Sequence, residues 1–137
     1  MKKLTIALQV VLVLFFLVPG VMKLLGNPEL VAVFEGFGYS TTFMYFIGAA
    51  EVLGALGIAI GGRIHRILPY LAMDGLSLIM IGAVYSHVTN GDPITAAVPA
   101  GTSLVLMVVY SILLWQKSPP FASKPAIQPE ADTPTQN

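Results

Sequence analysis

The stretch "TFMYFIGAAEVLGALGIAI", Thr42 to Ile60, decides the fold, because it is apolar or small throughout except for one carboxylate, Glu51. As a helix it rises roughly 28 Å at 1.5 Å per residue, close to the ~30 Å thickness of bilayer hydrocarbon. Backbone groups in lipid find no water to bond, so a helix that satisfies them internally is the conformation expected.

Three further stretches have the same character. They are Leu4 to Leu25, Leu68 to His87, and a segment over residues 93–115 that opens at "DPITAAVPAG" and ends at Trp115. The composition agrees with four spans. Of 137 residues 55% are hydrophobic and 10% charged, with mean hydropathy +0.80, whereas soluble domains carry about 25% charged residues. The expected fold is all-α, a four-transmembrane-helix bundle whose first partner is the lipid bilayer, with a membrane domain over residues 1–116.

The connecting segments carry local signals. "NPE" at Asn27–Glu29 reads as an N-cap with proline at the first helical position. It opens a short amphipathic stretch, Leu30 to Phe37, placed as an interfacial helix between spans one and two. "DP" at Asp92–Pro93 gives the same signal for span four. Pro19-Gly20 and Pro99 lie inside spans and predict bends. "MKK" before an apolar run resembles the start of a signal peptide, but the run is long and no A-x-A site follows, so a retained span is expected. Residues 117–137 turn proline-rich and polar, which predicts a disordered tail.

Charge sets orientation. Lys2, Lys3, Arg63, Arg66, Lys117 and Lys124 all fall on one side of the four spans, and the loops after spans one and three hold no Lys or Arg. The positive-inside rule places both termini and the middle loop in the cytoplasm. His65 belongs to that basic loop and faces anionic lipid. Seven basic and seven acidic residues leave no excess to attract nucleic acid.

Glu51 then lies about 12 Å below the outer surface. Its helical neighbours Gly48, Gly54 and Ala55 form a small-residue face of the kind along which membrane helices meet. Gly48, Gly54, Gly57 and Gly61 are the helix-packing candidates. Lys23 ends span one and His87 ends span three on the same side, so Lys23, Glu51 and His87 are grouped as an outer-half polar site. Asp74 is about 9 Å from the inner surface and roughly 140° from His87 around its helix, and it stands apart as a fourth candidate.

Each has a plainer reading. Lys23 snorkels to the headgroups, His87 is an ordinary interfacial histidine, and Glu51 is a protonated acid bonded across the bundle. Asp74 either does the same or caps the helix start beside Pro69.

The chain contains no cysteine, which excludes dithiol chemistry, iron–sulfur ligation and thiolate metal sites within it. The spans hold one histidine, too few for a bis-histidine haem. No metal-ligand cluster, nucleophile triad or phosphate-binding loop appears. What remains is a polar site suited to passing a proton, binding a polar headgroup such as a quinone's, or docking a partner helix.

"GVMKLLGNPELVAVFEGFGY", "IGAAEVLGALGIAIGG" followed by arginines, and "MDGLSLIMIGAVYSHV" occur here in an order that resembles the DoxX-like family of small four-span membrane proteins. The likeness covers about Ile6 to Trp115. It rests on Gly20-x-x-Lys23, Gly48-x-x-Glu51 and His87. The resemblance implies an inner-membrane, multi-pass protein. Founding members of the family are associated with thiosulfate:quinone oxidoreductase, so it also implies a quinone-associated or ancillary subunit, with oxidoreductase subunits or a second copy of the chain as partners. No activity of the chain by itself and no cofactor held within it are expected, and bound quinone is the implied ligand. A small proton- or cation-coupled transporter using Glu51 is the alternative, and a structural or assembly protein the third reading.

Overall fold

Backbone that cannot bond to water coils on itself, and in the computed structural model, which describes residues 2–117 and 119–121, this gives five helices. They are α1 (Lys2–Leu24), α2 (Pro28–Gly36), α3 (Thr41–Ile64), α4 (Leu68–Thr89) and α5 (Ile94–Lys117). Four of them, all but α2, are long and apolar enough to cross a membrane. The spans extend one to four residues beyond most of the apolar stretches that announced them. In α3 the extension carries Arg63, whose guanidinium donates to the Ala59 carbonyl at 3.2 Å, satisfying an acceptor near the helix end. α5 runs through Lys117. The disordered tail expected over the rest of 117–137 lies, apart from residues 119–121, outside the described residues.

The spans form a closed four-helix arrangement in which α1 packs on α3, α3 on α4, α4 on α5 and α5 back on α1. Contact between α1 and α3 is the most extensive, and α2 rests on both. Leu12 and Phe16 of α1, Ile58 of α3, Leu76 of α4 and Met107 of α5 meet in the buried centre. Most large apolar side chains point the other way, outward. Lipid is as apolar as leucine, so close packing and polar contacts hold such a bundle together.

The small residues of α3 make that packing possible. Gly54 receives the Leu76 side chain, Gly57 receives Ala72, and Gly61 lies against Leu68. A Cβ at Gly54 would come within 2.6 Å of Leu76, and one at Gly57 within 2.6 Å of the Ala72 Cβ. One face of α3 therefore seats α4, while Gly48 and Glu51 seat α1. Near the basic end Gln9 of α1 adds a polar contact, its amide nitrogen donating to the carbonyls of Ile58 at 2.8 Å and Ala59 at 3.1 Å.

At the opposite end the turns after α1, α2 and α4 share one construction. A glycine with positive φ (Gly26, Gly38, Gly91) ends each helix. Its own amide and that of the next residue bond back into the last turn, as with Gly91 to the Val88 carbonyl and Asp92 to that of His87. This is the Schellman motif, which needs a residue without Cβ strain in the left-handed region. Asn27, the residue after the first of these turns, caps α2 through its Oδ1, which accepts from Glu29 and Leu30 with Pro28 at the start. The interfacial helix is thus assembled from adjacent local signals.

Candidate functional site

Lys23 and Glu51 form an ion pair across α1 and α3, Nζ to Oε2 at 2.7 Å, with side chains only 10% and 3% exposed. Backbone geometry explains why two charges meet there. Gly20 and Gly48, each three residues before its helix's charged residue, face one another. A Cβ at Gly48 would lie 2.7 Å from the Lys23 Cβ and 2.9 Å from the Gly20 carbonyl oxygen. One at Gly20 would lie 3.1 Å from the Glu51 Cβ. Each charged residue is seated over the opposite helix's glycine, so the helices approach closely enough for a direct bond.

The pair forms part of the wall of a cavity of about 620 Å³. Phe16 and Pro19 of α1, Phe43 and Ile47 of α3, Met80 of α4 and Pro99 of α5 line it, with Phe34 of α2 and Phe37 just after that helix at one side. Both intrahelical prolines therefore border the same space. The α2 end is aromatic. The Tyr39 and Phe43 rings lie 5.1 Å apart, and Phe37 meets the His87 ring edge-on at 4.9 Å. The Tyr39 hydroxyl lies 3.0 Å from Ser86 Oγ, and Ser86 spends its own proton on the Gly82 carbonyl at 2.9 Å. Tyr39 is then the donor of the first bond, and it ties the segment after α2 to α4.

His87 lines the cavity but does not join the ion pair. Its Nδ1 is bonded to Asp92 Oδ2 at 2.7 Å. The reason is local. His87 and Asp92 are the two residues that the Schellman turn around Gly91 brings together. Asp92 also accepts from the Asn90 amide at 2.7 Å. Hydrogen bonds from His87 and then Asn90 hold the Asp92 carboxyl below its ordinary range. This corrects the reading of Asp92 as an N-cap, since α5 begins at Ile94 and the carboxylate turns back to His87. The spacing H-x-x-x-G-D was a usable signal for this contact.

Asp74 is placed differently from both of its plainer readings. It is exposed on the outward face of α4 and, among the described residues, makes no hydrogen bond or ion pair. It neither caps the helix start nor bonds across the bundle. A carboxylate at the centre of a span costs about 2.5–3.5 kcal/mol on insertion scales, and Asp74, nearer the Leu68 end of α4 than its centre, carries part of that cost in lipid.

Gln9, Tyr39 and Ser86 are polar contributors that pattern reading passed over, and Asp92, read as a cap, serves His87 and Asn90 instead. Gln9 stood in plain view as an amide inside span one. The Tyr39–Ser86 contact spans 47 residues of sequence and has no local signature.

The arrangement supplies a largely apolar, aromatic pocket with a buried ion pair on one wall and a histidine–carboxylate pair on another. No curated protein and no solved structure matches the chain. The sequence model of the DoxX-like family matches residues 7–110, a stretch that contains Lys23, Glu51, Asp74, His87 and Asp92. With its ion pair, its cavity and most of all four spans inside that match, the chain belongs to the DoxX-like family.

Proposed function

We propose that the protein is an ancillary, quinone-associated subunit of membrane redox metabolism, resident in the inner (plasma) membrane. The observation that carries this reading is the cavity of about 620 Å³, walled by Phe16, Phe34, Phe37 and Phe43, with Lys23 and Glu51 at its side. Its volume suits a ring-bearing headgroup, and aromatic edges and faces suit a flat ring. Lys23 carries three N–H donors; one serves Glu51, and the others are available to a carbonyl oxygen. A quinone is an apolar ring with two such oxygens that reaches the site through the bilayer. With both termini and the Arg63–Arg66 loop in the cytoplasm, the cavity opens in the outer half of the membrane.

Cation-coupled transport through Glu51 is the competing reading, and the Lys23 ammonium 2.7 Å away already occupies the position a transported cation would take. That weighs toward ligand binding. The deciding experiment is calorimetric titration of the detergent-solubilised protein with a short-chain benzoquinone, alongside mass spectrometry of its lipid extract and co-purified proteins. Saturable binding, weakened roughly tenfold by Lys23→Met as expected for one lost hydrogen bond, supports the reading. No binding, together with proton flux in proteoliposomes that Glu51→Gln abolishes, would replace it with transport.

A further inference from the structure

We propose that the cavity selects its ring ligand in the reduced, hydroxyl-bearing form over the carbonyl form, with Nε2 of His87 accepting from a ligand hydroxyl. The inference rests on the quinone-type reading of the cavity and adds the oxidation state that its wall favours. Of the side chains lining the cavity, those of Lys23, Tyr39, Glu51, Ser86 and His87 are polar. What each has left to offer a ligand follows from the bonds it already makes.

Tyr39 and Ser86 have spent their hydrogens. Tyr39 donates to Ser86, and Ser86 donates to the Gly82 carbonyl, so both hydroxyls meet a ligand as acceptors. Glu51 gives Oε2 to the Lys23 ammonium, and as a carboxylate it too can only accept. Its Oε1 has no partner among the described residues and is open, since no unpartnered side-chain nitrogen or oxygen there is fully buried.

His87 completes the set. Asp92, whose carboxyl His87 and then Asn90 hold below its ordinary range, is ionised and accepts only. Nδ1 of His87 therefore carries the hydrogen of the 2.7 Å bond, and in the neutral ring Nε2 is left as a lone pair. Nε2 makes no hydrogen bond among the described residues and is likewise open. Asp92 is thus a positioning residue that fixes which face of the imidazole accepts. Among these five side chains Lys23 alone has hydrogens to give. A ring with carbonyl oxygens only can use Lys23, and at His87 it sets lone pair against lone pair. A ring hydroxyl can donate to Nε2, or accept from Lys23 while donating to Glu51 Oε1.

Anaerobic calorimetric titration of the detergent-solubilised protein with a short-chain benzohydroquinone and with the corresponding benzoquinone tests this. The hydroquinone should bind roughly tenfold tighter, the scale of one hydrogen bond. His87→Leu should shrink that ratio to within about threefold while benzoquinone binds no more weakly than before. Retained benzoquinone binding separates loss of the acceptor from loss of the fold, and the comparison on the parent chain needs no variant. Equal or weaker binding of the hydroquinone overturns the proposal and leaves the cavity a quinone site. A ratio that His87→Leu leaves unchanged overturns it as well. Binding of neither ligand overturns it together with the reading of the cavity on which it rests.

Discussion

The Nζ of Lys23 sits 2.7 Å from Oε2 of Glu51, and the stems of both side chains lie against the glycine of the opposite helix. Gly20 and Gly48 are therefore as much a part of this ion pair as its charges. Removing one partner of a buried pair strands the other, which costs about 3–5 kcal/mol. Lys23→Met and Glu51→Gln should each destabilise the protein on that scale. The double variant should lose less than the sum, by about 1–3 kcal/mol of coupling. Unfolding of all four proteins in detergent measures the cycle. Strict additivity with Lys23→Met neutral would mean that the pair contributes nothing.

Close approach of α1 and α3 gives a second expectation. Gly48→Ala places a methyl group 2.7 Å from the Lys23 Cβ and 2.9 Å from the Gly20 carbonyl oxygen, so the helices must part. The loss should be about 1–3 kcal/mol, as for overpacking elsewhere. Gly101→Ala on α5, where a Cβ meets nothing within 4 Å, should stay within about 0.5 kcal/mol of the parent. Equal unfolding midpoints for the two variants would show that the interface has slack.

Acid should act on the turn between α4 and α5. The Asp92 carboxyl is held below its ordinary value of 3.8, first by His87 and then by Asn90. A folded-state value lower than the unfolded one means that the contribution is present above 3.8 and is lost as pH falls through the lower folded value. Amide resonances of Asn90 and Gly91 should follow that titration, and Asp92→Asn should flatten it. A profile that persists in Asp92→Asn would assign the titration to another group.

Orientation is open to labelling. The positive-inside rule predicts that Ser40→Cys and Asn90→Cys react with an impermeant thiol reagent in intact cells. His65→Cys, between the two loop arginines, should react only after permeabilisation. The reverse pattern would invert the protein and place the cavity in the inner half of the membrane.

The four spans and α2 were legible in the chain because they follow from local properties. An apolar run has a length, a backbone in lipid has to bond to itself, and Asn27-Pro28 caps whatever follows it. Gly48-x-x-Glu51 was likewise legible as a carboxylate on a small-residue face. Partnership was another matter. Lys23, Glu51 and His87 end or line the same half of three helices, and sequence grouped them. The tertiary structure joined Lys23 to Glu51 because two glycines let α1 and α3 touch, and gave His87 to Asp92 because the Gly91 turn folds one back on the other. Asp74 marks the limit of sequence reading. Periodicity told how far it stands from His87 around α4, but not which way the helix is turned. That rotation is decided by Leu76, Ala72 and Leu68 seating on Gly54, Gly57 and Gly61, contacts between two helices that neither helix specifies alone.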